Sequence, residues 1–204
     1  MNTAQLSKRQ LQAQQTRINL LHAGRTIFLQ NGFQKATMAQ INKHAKTGYG
    51  TAYLYFANKD ELFCELMETI MQKMYEIADR SFQPQTKAEA YEQITSQARG
   101  FLQSALEEKE MMQVLKEAAG VSPIVEEKWN KIRTRFIHGI AKDIQYVQQA
   151  GLAKTSANPS LIARSWFHMN EQIMWDLVLG HLTETIDEIA DSLTDLYTNG
   201  LYVS

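Results

Sequence analysis

Residues 37–62, TMAQINKHAKTGYGTAYLYFANKDEL, constrain this chain more than any other stretch. The pattern calls for two short helices joined by a tight turn, followed by the start of a third. Thr37 and Gln40 have the spacing of a capping box, which starts a helix. Met38, Ile41 and Ala45 then recur on one apolar face. Lys46-Thr47-Gly48 is the turn. A second helix over 49–56 buries Ala52 and Phe56 and turns Tyr49, Thr51, Tyr53 and Tyr55 outward, a face of hydrogen-bonding and stacking groups. Asn58 with Glu61 makes the N-terminal box of the next helix. Helices paired through such a turn form a helix-turn-helix, whose second helix lies in the DNA major groove.

Charge supports that reading through its distribution. The net charge of −1 is uninformative, but residues 1–60 hold eight basic side chains (Lys8, Arg9, Arg17, Arg25, Lys35, Lys43, Lys46, Lys59) against the single acid Asp60. All the other acids lie in the remainder. A basic block that coincides with the motif, joined to an acidic body, is the electrostatic footprint of a nucleic-acid reader.

The rest of the chain reads as helix throughout, an all-α protein of about nine helices. A helix over 16–31 carries the stripe Leu20, Ala23, Gly24, Ile27 and Phe28 and stops at Gly32. A helix over 58–82 is apolar well beyond the needs of a small DNA-binding domain, so it links that domain to the body. Further helices are expected over 87–106, 109–119, 123–149, 159–182 and 185–202, with Ser122-Pro123 as an N-cap and N1 pair. The helix over 159–182 is apolar nearly all round and has to be buried on nearly all sides. Within it Glu171 has to be exposed, paired or ligand-facing, because an unpaired buried carboxylate costs several kcal/mol.

The first helix ending Asn31-Gly32-Phe33, then Thr37, then Gly50-Thr51-x-Tyr53-x-Tyr55-Phe56, then Asn58-Lys59-Asp60-Glu61-Leu62, resembles the DNA-binding domain of TetR-type transcriptional regulators. The close likeness covers roughly residues 20–66. The family usually has glycine, a small apolar residue and serine where this chain has Lys46, Thr47 and Gly48, so the inter-helix plug and the helix cap have to be made differently here, the cap by Gly48 or Thr47. The Gln-rich start with Lys8 and Arg9 reads as a flexible basic arm over 1–15, and the resemblance implies a helix-turn-helix DNA-binding domain over 14–74 and a helical regulatory and dimerisation domain over 75–204. It implies DNA contacts from Thr37, Lys46, Thr47, Gly48, Tyr49, Gly50, Thr51, Tyr53, Tyr55 and Lys59, with Thr51, Tyr53 and Lys59 on the backbone and Tyr49 near bases.

The same resemblance implies a repressor released from an inverted-repeat operator by a small-molecule effector. The soft side chains available for an effector cavity are Met67, Met71, Met74, Phe101, Met111, Met112, Trp129, Phe136, Trp166, Asn170 and Met174. The acidic, aromatic body suits an apolar or cationic compound. A homodimer would pack its C-terminal helices as a four-helix bundle, through Leu161, Trp175, Leu179, Ile186, Ile189 and Leu193.

Enzyme chemistry finds no support. No HExxH, paired-cysteine spacing, GxSxG or glycine-rich phosphate loop occurs, so no catalytic residue, metal or cofactor is expected. His168 and Glu171 have the i, i+3 spacing of a di-metal bundle but lack the second pair that such a centre needs. The single cysteine, Cys64, fits a reducing cytoplasm. The polar N-terminus has no signal-like apolar region, and no stretch approaches the ~20 apolar residues of a membrane span. Two alternatives stand beside the ligand-released repressor: a helical interaction protein that keeps the three-helix module without binding DNA, and a redox-responsive regulator acting through Cys64.

Overall fold

A computed structural model describes residues 7–48 and 50–203. The expected base contact of Tyr49 and the first part of the basic arm lie outside the described residues. Among these residues the chain forms α1 (Lys8–Lys35), α2 (Met38–His44), a 3-10 helix (Thr51–Leu54), α3 (Lys59–Ala78), α4 (Lys87–Glu107), α5 (Lys109–Val121), α6 (Pro123–Gln149), α7 (Pro159–Leu179) and α8 (Ile186–Leu201). The only pairing of extended backbone among them is an isolated bridge between Ala153 and Tyr202. No helix among them is long and apolar enough to cross a membrane.

Two expectations change. Residues 8–15 are the first two turns of α1 rather than a flexible arm. Ser7 caps them in a full capping box with Gln10, and the run of Lys, Arg, Gln, Leu and Ala has strong helix propensity without a breaker. The second helix of the motif is a short 3-10 turn instead of an α-helix over 49–56. Gly50 precedes it with φ +84°, a left-handed residue that cannot continue an α-helix. The other boundaries shift less. α3 ends at Ala78 ahead of 82, and α7 ends at Leu179 because Gly180, at φ +77°, closes it in a left-handed cap.

The chain divides into two compact units, and neither is contiguous in sequence. The first joins the chain up to Thr69 to Gln113–Lys128; the second joins Ile70–Met112 to Trp129–Ser204. α3, α5 and α6 each therefore contribute residues to both.

In the first unit Phe28, Phe33 and Phe63 stack and edge against one another with ring centroids 4.9–5.8 Å apart, over Leu20, Ile41 and Leu62. α1 breaks at Gly32, whose φ of +71° turns Phe33 back beneath this core. Glu117 of α5 accepts hydrogen bonds from the freed Phe33 and Gln34 amides, both at 3.0 Å. Ser122 meets Asp60 and Lys128 meets Glu68, so the 113–128 segment is built into this unit at several points. Lys59 caps the end of α1, its Nζ donating to the carbonyls of Phe33, Gln34 and Ala36 at 2.7, 3.0 and 3.1 Å.

In the second unit α4 packs on α7 and α8. Its core includes Phe82, Ala90, Ile94, Ile144, Val147, Leu201 and Tyr202. Trp129 of α6 edges against Trp175 of α7 at 5.8 Å.

Candidate functional site

The turn of the helix-turn-helix is held by a residue that the sequence pattern does not announce. Asn42, on α2, is 4% exposed. Its Oδ1 accepts from the Ala52 backbone amide at 2.9 Å and from the Thr47 hydroxyl at 3.0 Å, while the Thr47 hydroxyl also reaches the Asn42 carbonyl. Gly50 offers no side-chain cap to the 3-10 helix. The cap expected from Gly48 or Thr47 comes from Asn42 instead, across the turn. The plug between the helices is thus polar and hydrogen-bonded across the turn. A polar residue on a motif's inner face, ten positions before a small buried one, was the available signal for it. Lys46 completes the turn in the left-handed region, at φ 54°.

That lock fixes what the motif shows to solvent. Tyr53 and Leu54 are 57% and 84% exposed, and Thr37, Lys46 and Gly48 are also exposed. Thr47, Gly50, Thr51, Tyr55 and Lys59 are half-buried. Thr47 serves the turn. Lys59, expected on phosphate, already donates to three carbonyls and lies 4.6 Å over the Phe33 ring. Leu54 was missed by the sequence reading, which placed only polar and aromatic groups on this face. Phe56 goes inward as expected, 1% exposed, with the Arg17 guanidinium 5.0 Å over its ring.

The second unit contains a cavity of about 140 Å³. Of the residues proposed from sequence, Met74, Phe101, Trp129, Phe136, Trp166, Asn170 and Met174 line it. Met67, Met71, Met111 and Met112 do not. They are fully buried core that does not border the cavity. The sequence reading also missed Phe167, Asp143, Tyr197 and Tyr202 in the lining. Phe136 connects the aromatic wall, edging against Phe101 at 5.1 Å and stacking on Phe167 at 6.0 Å.

Charged groups in the wall are mostly matched. Arg135 bonds Asp79 at 2.9 Å. Glu171, 9% exposed, accepts from Trp129 Nε1 at 2.9 Å and Arg133 Nε at 2.8 Å, with His168 Nδ1 3.1 Å from its other oxygen. The His168–Glu171 pair is therefore part of an ion-pair network. Asp143 is different: desolvation is the sole cause acting on its carboxyl, and it pushes the group up to about 6. Tyr197 and Tyr202 are driven well above the usual phenol range, first by burial, then for Tyr197 by Tyr202 and Asp143 and for Tyr202 by Asp143, so both rings stay neutral.

Outside both sites, burial raises the Cys64 thiol, opposite to the low-pKa environment of a redox-sensing cysteine. On the two C-terminal helices, Trp175, Ile189 and Leu193 are buried within the protomer at 4, 7 and 8% exposure, which removes them as interface anchors. Leu161 and Leu179 remain exposed, and so does Leu196, which was not anticipated. Ile186 is half-buried.

The profile of bacterial regulatory proteins of the tetR family matches residues 20–66, and that of the C-terminal domain of transcriptional regulator EthR matches residues 94–203. The chain is 38% identical over 65 residues to the HTH-type transcriptional regulator YhgD of Bacillus subtilis, covering 32% of this chain and 34% of that protein. It is 36% identical over 70 residues to the HTH-type transcriptional repressor NicS of Pseudomonas putida, covering 34% and 33%. These matches span about a third of the relatives' length. Among solved structures, the chain resembles NalD, described as the secondary repressor of the MexAB-OprM multidrug efflux pump in Pseudomonas aeruginosa. The TM-score is 0.73 and the identity 18%, over 94% of this chain and 98% of that one. It also resembles a SmeT–triclosan complex, with a TM-score of 0.73 and 16% identity over 93% and 92% of the two chains. At such identities the structural likeness speaks for the fold. The C-terminal profile alone covers more than half of the sequence, and together with the profile on the helix-turn-helix it establishes that the chain belongs to the TetR family of bacterial regulatory proteins.

Proposed function

We propose that this chain is a homodimeric repressor that reads an inverted-repeat operator through the 3-10 element and is released when a small molecule fills the cavity of the second unit. The observation that carries the DNA half is the presentation of Tyr53 and Leu54, 57% and 84% exposed, on an element locked by Asn42 inside the basic block. A leucine so exposed suits the thymine methyl in the major groove, and a tyrosine beside it suits phosphate or a base edge. On this reading Thr37 and Lys46, both exposed, make the positioning contacts. Lys59 joins them only by giving up one of its three carbonyls, so its first role is to hold the end of α1.

Selection of bound fragments from the source genome tests this reading and yields the operator. On that operator, Leu54→Ala should change base preference at one position per half-site, costing about 1–3 kcal/mol at the preferred sequence. Lys46→Ala should weaken all sequences alike and flatten the salt dependence by roughly one unit per protomer. Wild-type behaviour from both variants would mean that another surface docks.

The dimer follows from the exposed leucines of the last two helices. Leu161 and Leu179 lie five helical turns apart and so share one face of α7, and Leu196 adds α8. A two-fold dimer matches a near-palindromic site. Leu161→Glu with Leu196→Glu should convert the protein to folded monomer, read by sedimentation at micromolar concentration. A wild type already monomeric there would sink the dimer.

Names of similar proteins support the reading: NalD and NicS are described as repressors, and for the effector half one SmeT structure is described as a triclosan complex. For the coupling, α6 supplies Trp129 and Phe136 to the cavity, and its start lies in the DNA-reading unit, as do parts of α3 and α5. A ligand shifts the balance only by its differential affinity for the two states, with a coupling of about 1–3 kcal/mol typical. The redox alternative is not favoured, given the half-buried thiol with its raised pKa.

A further inference from the structure

We propose that the cavity takes a small organic monocation, about one aromatic ring bearing an ammonium group, whose charge is held by Asp143 against the ring faces of Trp166, Tyr197 and Tyr202. This deepens the reading of the cavity as the effector site and rests on it.

Charge in the wall is the first argument. Asp79 is matched by Arg135, and Glu171 by Arg133. Asp143 has no hydrogen bond or ion pair among the described residues, and nothing but desolvation acts on its carboxyl. The wall thus carries one uncompensated negative charge in a largely apolar, aromatic space whose other charges are paired. A cation entering there gains an ion pair that no side chain of the protein supplies, whereas an anion meets repulsion and a neutral ligand leaves the carboxylate desolvated.

The rings are the second argument. Trp166 lies 4.4 Å from Tyr197, which edges against Tyr202 at 6.4 Å, and both phenols are within electrostatic reach of Asp143. Aromatic faces gathered near a carboxylate are what binds ammonium ligands by cation–π attraction. Size is the third. A cavity of about 140 Å³ is close to the ~150 Å³ void known to admit benzene, so one ring fits beside Phe101, Phe136 and Phe167.

The test uses the full chain with benzyltrimethylammonium, whose charge does not titrate, and its uncharged isostere neopentylbenzene, both followed by the fluorescence of the wall tryptophans. The cation should bind about tenfold or more tightly than the isostere. Asp143→Asn should abolish that preference. Tyr197→Leu should weaken the cation while sparing the isostere. Binding of the cation should fall as pH drops through about 6, where Asp143 takes a proton. Histidine ordinarily titrates nearby, and His168 sits beside Glu171, so the pH effect is the difference between wild type and Asp143→Asn. Asp79, Arg135, Glu171, Tyr197 and Tyr202 are the other titratable groups in the wall.

Folding of the variant has its own check. The raised carboxyl favours the folded state most below its unfolded value near 4, and that contribution is lost as pH rises through about 6. Asp143→Asn should therefore raise the melting temperature at pH 7 relative to its effect at pH 4. Equal affinity for the two probes, cation affinity unchanged in Asp143→Asn, or no binding of the cation at millimolar concentration would each overturn the proposal. Cation binding that leaves operator affinity unchanged would uphold the cation site while refuting effector release.

Discussion

Asn42→Ala should abolish specific operator binding while the second unit stays folded. The substitution orphans the Ala52 amide, which loses its side-chain cap at the 3-10 element, and leaves the Thr47 hydroxyl with the Asn42 carbonyl alone. A buried group left without a partner costs about 1–3 kcal/mol, so the first unit should lose roughly that much. The larger effect is on geometry. Lys46 holds a left-handed backbone at φ 54°, which persists only while its surroundings enforce it. Without Asn42 the turn is free to relax, and Tyr53 and Leu54 lose their fixed presentation. Anisotropy titration of operator DNA, alongside a thermal melt, reads both consequences. Thr47→Val, which keeps the volume and loses only the hydroxyl, should cost about 1 kcal/mol and retain sequence preference. Full operator affinity in Asn42→Ala would show that the lock is dispensable.

Arg133→Met should destabilise the second unit by about 3 kcal/mol, because breaking a buried pair strands the remaining charge. Glu171 is the charge at risk. It is 8% exposed as a side chain, and Arg133 is its one guanidinium partner, with Trp129 and His168 as lesser supports. Arg133 also bonds Asn130 and lies 5.5 Å over the Trp129 ring, so the methionine keeps part of the packing but none of the charge. The double variant Arg133→Met with Glu171→Gln should recover most of the loss, since replacing both partners removes the stranded charge. Chemical denaturation of the single and double variants checks this. A double variant no more stable than Arg133→Met would place the cost in packing.

Much of this architecture was legible because helices announce themselves locally. Caps and breakers such as Thr37, Pro123, Pro159 and Thr185 set boundaries that the structure keeps, and the apolar stripes of α1 and α6 name their buried faces. What could not be read was decided across space. Asn42 shares the inner face of α2 with Met38, but only the fold shows that its partner is the Ala52 amide. Met67, Met71 and Met112 resemble Met74 in sequence, yet only Met74 faces the cavity. Asp143 stands among lysine, isoleucine and glutamine as an ordinary exposed acid, and only the assembled cavity wall makes it a desolvated one. The 3-10 turn lay beyond pattern reasoning because two glycines weaken a helix without dictating what replaces it.

The contact of Glu117 with the Phe33 and Gln34 amides bears on how such regulators can be recombined. A chimeric sensor made by cutting a DNA reader from one chain and fusing it to the ligand domain of another works only if the reader is cut where its compact unit ends. Here a cut after residue 74 would separate the reader from 113–128, a stretch that folds as part of it. The new host would have to supply a carboxylate at the position of Glu117, a hydroxyl at Ser122 and an amine at Lys128. A graft that carries 113–128 along with the N-terminal half should accept a foreign ligand domain where a simple head-to-body splice misfolds. Recombination partners are then best sought among chains that share these three residues.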